Sequence, residues 1–285
     1  MAGPSERAAP PGRARDRRGA LRDWGGVRSA LTWAYVVAFG LLAILAALVV
    51  LLLGGWAWDR DRRMFHRIAA WWGGGLARTL PFSVELRGIE HASGGPFVIV
   101  ANHQSLVDLL VLYLLPLQYR TLVRRALFFT PMGLNMWAAG YLPTPRRGEG
   151  ETGAGIERLG AAGRERLARG LSVLVFPEGA RAQGWELQRF RRFAFDLSAQ
   201  AAAPVLPVAL AGTNDVAHPT SWRFAYGLRI LVEVLPAIPS AGRDPLEMMQ
   251  TCRDLLVDRV AALRDELKTR YGQGPCTSRS AISMR

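Results

Sequence analysis

Phe97-Val-Ile-Val-Ala-Asn-His-Gln-Ser-Leu-Val-Asp108 is the run whose reading decides the fold. Its first five residues are wholly apolar, follow Gly94-Gly95-Pro96 and read as a buried strand. Polar residues then arrive together at Asn102, His103 and Gln104, and Leu106, Leu109, Leu110, Tyr113 and Leu114 recur at helical spacing over an expected helix 105–115. A titratable imidazole in a strand-to-helix turn is where open α/β sheets place their chemistry. His103 and Asp108 would stand roughly 140° apart on one regular helix. They meet only if His103 lies in the turn and Asp108 in the first turn of the helix, which Ser105 is suited to cap. Asp108 would then hold one ring nitrogen and leave the other free to take a hydroxyl proton. Ser105-Leu-Val-Asp108 is equally a capping-box pattern in which Asp108 serves only the helix start. These residues alone leave both readings open.

Outward from this run, the 285 residues have room for one sizeable α/β domain and an appendage. The net charge of +13 is carried almost wholly by arginine, Lys268 being the only lysine. The arginines are dispersed among helices instead of forming a recognisable nucleic-acid module, so no nucleic-acid partner is expected. An anionic membrane surface is the simpler partner. Cys252 and Cys276 match no metal or redox spacing, and His66, His91, His103 and His218 are scattered, so no metal is expected.

Residues 1–28, rich in Arg, Ala, Gly and Pro, read as a disordered basic tail. Ser29 to Trp58 is a thirty-residue run without a charge, longer than a cleaved signal needs, and reads as a retained membrane helix. Trp33, Tyr35, Trp56 and Trp58 lie towards its ends, where interfacial aromatics belong. A single span and a re-entrant hairpin are both compatible with it. Arg62–Leu80 reads as an amphipathic helix, lying in the interface or packed on the domain, and completes an anchor over 29–80. Residues 81–272 alternate strands (83–87, 97–101, 119–124, 171–176, 205–210, 228–235) with helices (105–115, 156–169, 194–202 and a last one capped by Asp244). This predicts an α/β domain, a mixed sheet flanked by helices. Residues 126–137 read as irregular, and 273–285 as a flexible tail.

The strand 171–176 also ends in a polar turn, Phe176-Pro-Glu-Gly-Ala-Arg181. Paired with Asn102-His-Gln-Ser-Leu-Val-Asp108, it resembles the double signature of the glycerolipid acyltransferases, best known as 1-acylglycerol-3-phosphate acyltransferases. Gly140-Tyr-Leu-Pro-Thr-Pro-Arg146 and Val205-Leu-Pro-Val208 resemble two further blocks of that family, and the similarity covers about residues 62–240. The resemblance implies transfer of a fatty acyl group from coenzyme A or acyl carrier protein to the free hydroxyl of lysophosphatidic acid. His103 would be the general base, Asp108 its orienting partner. Arg146, Glu178, Gly179 and Arg181 would form the phosphate site, with Asn102, Ser105 and Arg125 as further candidates. The acyl thioester is a co-substrate; no cofactor is implied. Ala180 stands where the family carries a hydroxyl residue and Phe193 where a glycine is common, so another lysolipid acceptor is an alternative, as is a membrane-bound lipid or thioester hydrolase. A bacterial inner membrane, with the domain on its cytoplasmic side, is the expected location.

Overall fold

The structure, a computed structural model, describes residues 17–130, 133–145, 153–182, 186–218 and 221–273. The apolar runs become strands β1 (Phe82–Arg87), β2 (Val98–Ala101), β3 (Tyr119–Val123), β4 (Leu142–Pro143), β5 (Ser172–Val175), β6 (Val205–Ala211) and β7 (Leu228–Val234). They form one seven-stranded sheet in the order β1-β7-β6-β2-β5-β3-β4. Every neighbouring pair is parallel except β6 with β7, so the sheet is mixed, as expected. The helices are α1 (Arg17–Leu52), α2 (Gly55–Trp58), α3 (Arg63–Thr79), α4 (Val107–Leu112), α5 (Gly133–Ala138), α6 (Ala154–Ala168), α7 (Phe193–Ala201), α8 (Thr213–Val216) and α9 (Pro245–Tyr271).

The pleat sorts side chains onto two faces. Val98 and Val100 of β2 join the core under α6, α7 and α9, whereas Ile99 and Ala101 join the core under α3 and α4. Cys252 of α9 is a packing residue, its thiol pushed up to about 12 by burial. Helix α3 packs on the domain, one of the two expectations for it. One side buries Phe65, His66, Ala69 and Leu76, while Trp71 is exposed. It crosses close to α4 at Gly73, where a Cβ would come 2.1 Å from the Tyr113 ring. Its start is capped by Asp59, whose carboxylate accepts from the amides of Arg63, Met64 and Phe65.

Several expectations need correction. The basic segment 1–28, expected to be disordered, is helical from Arg17, because lengthening an existing helix fixes one residue per added hydrogen bond and needs no new nucleus. Residues 1–16 and 274–285 lie outside the described residues. The helix expected over 105–115 is only Val107–Leu112, since Asp108 draws the amides of Gln104 and Ser105 into a turn. The segment expected to be irregular, 126–137, contains a 3₁₀ turn, Arg125–Phe129, and the start of α5 among its described residues. Arg120, expected only as a strand residue, is fully buried. Its guanidinium donates to the carbonyls of Tyr119 and Asp61, and burial lowers its pKa to about 10.

The long apolar helix α1 lies lengthwise on the domain. Ser29, Thr32, Ala43 and Ala47 are buried along one stripe, while Leu41, Leu45 and Leu52 are exposed on the other side. Where its uncharged run begins, the Ser29 hydroxyl accepts from the Phe224 amide (3.1 Å), Thr32 bonds the Tyr226 hydroxyl (2.9 Å), and the Trp33 indole donates to the Trp222 carbonyl (2.7 Å). Near its end Ala47, Val50 and Leu51 pack with Phe65, Phe128 and Met136.

At the far edge of the sheet Arg87 forks to both carboxylate oxygens of Glu266, at 2.7 and 2.6 Å, tying α9 to β1. That fork is the largest influence holding Glu266 down at about 2, from an ordinary 4.5. A carboxylate with a depressed folded pKa stabilises the fold above its unfolded pKa and loses that contribution as pH falls. Glu266→Gln is therefore expected to lower unfolding stability at neutral pH by at most about 1 kcal/mol, the pair being partly exposed. The difference should shrink as pH falls from about 4.5 towards about 2. Denaturant titrations of both proteins across that window check it.

Candidate active site

The site is built where β2 and β5, adjacent and parallel, end side by side. Asn102, the first residue beyond β2, is buried and acts as a backbone surrogate. Its side-chain NH₂ donates to the Leu210 carbonyl at 2.9 Å and its oxygen accepts from the Leu210 amide at 2.8 Å, pinning the strand end to β6. The chain then turns so that His103 Nδ1 stands 2.8 Å from Asp108 Oδ2. The same Oδ2 accepts from the amides of Gln104 (2.6 Å) and Ser105 (2.8 Å). The helix-start role and the imidazole contact, which compete as readings of the sequence, are thus performed together by one oxygen. Asp108 is fully buried, whereas the His103 side chain keeps 18% of its surface exposed. A carboxylate accepting at Nδ1 fixes the proton there and turns the lone pair of Nε2 outward, the arrangement of a general base. Nε2 has no partner among the described residues.

The turn after β5 closes over this one. The Phe176 ring stacks on the His103 imidazole, with centroids 4.0 Å apart. Glu178, buried, accepts from the His103 amide through Oε1 and from the Gln188 amide through Oε2, each at 2.9 Å. Burial raises its pKa above the ordinary value, against the pull of the two amides. With one main-chain amide on each oxygen, Glu178 braces the two turns and shapes the loop that leads to Arg181. Gly179 has φ +73°, and a Cβ there would come 2.6 Å from Arg191 Nε, so the guanidinium of Arg191 lies directly on the turn. The Ala182 amide donates to the His103 carbonyl at 2.8 Å, a second link between the turns.

The remaining expected residues divide. Arg181 is half-buried beside these turns and carries no carboxylate partner among the described residues. Arg125 is exposed at the start of the 3₁₀ turn after β3 and lines a cavity of about 260 Å³ with Thr144, Pro145 and Arg158. Arg146 lies outside the described residues. Ser105 is not poised as a nucleophile: its buried hydroxyl donates to the Ala217 carbonyl at 2.6 Å and accepts from the Val107 amide. Arg191 and Gln188 are not among the residues expected from the sequence, although Arg191 stands two positions before Phe193. A larger cavity, about 480 Å³, sits beside Pro96 and Pro204 at the amino ends of β2 and β6, the opposite edge from His103. No cluster of His, Cys, Asp or Glu suited to a metal ion occurs among the described residues.

Residues 83–211, from β1 to the end of β6, match the family model "Acyltransferase". The 1-acyl-sn-glycerol-3-phosphate acyltransferase alpha of Bos taurus is 34% identical over 180 residues, 62% of this chain and 60% of that protein. The mouse protein of the same name is 30% identical over 196 residues, 68% of each chain. The chain thus spans about 60% of the length of the bovine and human relatives. The crystal structure of the 1-acyl-sn-glycerophosphate acyltransferase PlsC from Thermotoga maritima superposes with a TM-score of 0.60 at 19% identity, covering 81% of this chain and 97% of that one, and shares its fold. On its motifs, its sheet and these relatives, the chain belongs to the 1-acylglycerol-3-phosphate acyltransferase-like family of glycerolipid acyltransferases.

Proposed function

We propose that the chain transfers a fatty acyl group from an acyl thioester, carried by coenzyme A or acyl carrier protein, to the free hydroxyl of lysophosphatidic acid, giving phosphatidic acid for phospholipid synthesis. The observation that carries this reading is His103, held at Nδ1 by Asp108 with Nε2 unshared, at a sheet edge where Arg124, Arg125, Arg181 and Arg191 have no carboxylate partner among the described residues. Nε2 takes the hydroxyl proton as the oxygen attacks the thioester carbonyl; the C–O bond forms, the C–S bond breaks, and the proton passes to the departing thiolate. Asp108 stabilises the imidazolium formed in between. Arginine is suited to forked hydrogen bonds with the acceptor's phosphate, and Arg181, Arg146 and Arg125 are the candidates for that role. The names of the relatives support the substrate class.

The membrane is the source of the acceptor. The outer side of α1 is exposed and apolar, and the helix is long and apolar enough to cross a membrane, which supports its reading as the membrane anchor. Cytosolic acyl donors put the domain on the cytoplasmic side of a bacterial inner membrane.

The test is acyl transfer by membranes containing the protein, with labelled acyl thioesters of both kinds and a panel of lysolipids. Labelled phosphatidic acid is the expected product. Acylation of another lysolipid alone would move the acceptor and direct attention to Ala180 and Phe193, whereas release of free fatty acid alone would overturn the transferase reading.

A further inference from the structure

The 3₁₀ turn Arg125–Phe129 and α5 enclose one set of apolar side chains and present another. Phe128 and Met136 turn inward onto Ala47, Leu51, Phe65 and Val123. Leu127 (42% exposed), Phe129 (84%) and Trp137 (57%) face outward. A segment that solvates one side would carry mostly polar residues there; past Arg125 the exposed side chains of this one are apolar but for Thr130. Its outer side continues the lipid-facing surface of the anchor. The core beneath it is made in part from the last turns of α1, and Leu52, Leu53, Trp56 and Trp58 emerge exposed where that helix ends. Arg62, at the start of α3, lies 5.6 Å over the Trp137 ring and fixes it at that junction. Charge points the same way: there is no Asp or Glu from 109 to 148, and Arg124 and Arg125 are exposed at the head of the segment.

We infer that the 3₁₀ turn Arg125–Phe129 and α5 together are a second lipid-docking element, which inserts Leu127, Phe129 and Trp137 into the anionic surface of a phospholipid bilayer alongside α1. The inference rests on the proposed lipid chemistry for its purpose, but not for its detection. The segment follows the carboxyl end of β3, the edge at which β2 and β5 deliver His103 and Glu178. Inserted there, it brings the mouth of the site to the headgroup level, so that a lysolipid reaches the base without its tail leaving the apolar phase.

The experiment uses the full chain in phosphatidylcholine–phosphatidylglycerol vesicles. Phe129→Cys, in a Cys276→Ser background, carries an environment-sensitive fluorophore, and Leu255→Cys on α9, on the opposite face of the sheet, is the control. On vesicles containing doxyl-labelled lipid, the label at 129 is expected to shift to the blue and be quenched, and the label at 255 to do neither. A label at 129 that stays in water on vesicles overturns the inference, as does one shielded in detergent only as protein concentration rises, which would assign the ridge to a second copy of the chain. A second variant, Phe129→Ser, should raise the KM for long-chain lysolipid in vesicles by on the order of tenfold, the scale of one buried aromatic, with kcat unchanged. Quenching without acyl transfer would leave the docking element standing and remove the proposed reaction; transfer without quenching would do the reverse.

Discussion

Asp108→Asn is expected to lower acyl transfer by on the order of 10⁴-fold with a modest fall in the unfolding midpoint. Oδ2 of Asp108 accepts three hydrogen bonds, from His103 Nδ1 and the amides of Gln104 and Ser105. The single oxygen of asparagine can accept the same three, so the turn survives, while its NH₂ takes the buried, unpartnered place of Oδ1 at a cost of about 1–3 kcal/mol. What disappears is the negative charge that stabilises the imidazolium when Nε2 holds the hydroxyl proton. Asp108→Ala behaves differently, because it leaves two buried amides without a partner, each costing about 1–3 kcal/mol. It should lose stability and rate together. His103→Ala should lose the rate as completely as the double variant His103→Ala/Asp108→Asn, since residues acting as a unit are not additive. Steady-state rates beside unfolding midpoints decide the matter. If Asp108→Asn keeps most of its rate, Asp108 is a helix cap and nothing more.

Glu178→Gln is expected to separate bracing from phosphate binding. Each carboxylate oxygen now takes one amide, from His103 and from Gln188. Glutamine can satisfy one of them and opposes the other with its own N–H, an unmet buried donor worth about 1–3 kcal/mol. The loosened turn carries the base, and a displacement of a reacting group by about 1 Å can cost on the order of 10²-fold in rate. The fall should therefore appear in kcat and in the unfolding midpoint, with the acceptor's KM nearly unchanged. A KM effect alone would place Glu178 in the phosphate site.

Much of the fold was legible because strands buried on both faces write continuous apolar runs. Phe97–Ala101 and Leu171–Phe176 do so, and each ends in the polar residues that furnish the site. What stayed hidden has specific causes. The role of Asp108 looked like a choice between two patterns, and sequence spacing cannot say that one oxygen fills both. Arg191 lies on Gly179 from twelve positions away, a proximity that only the loop's path creates. Helix α8, four residues long, is too short to carry a periodicity. From Ser29 onward α1 carries no charge on any side, so no charged stripe in its sequence could tell the packed side from the exposed one.

The three polar contacts between Ser29, Thr32 and Trp33 of α1 and residues 222–226 give lipid a thermodynamic role besides that of solvent for the substrate. Ser105 bonds Ala217, just before that loop, and Phe224 bonds Ser29, so the catalytic turn and the apolar helix share one stretch of chain. Whatever binds the outer side of α1 in the native state alone is a ligand in the sense of linkage and raises the free energy of unfolding. For the lipid partner proposed above, membrane binding and folding would then be coupled equilibria, and a bilayer would act as a chaperoning ligand for the turn that carries His103.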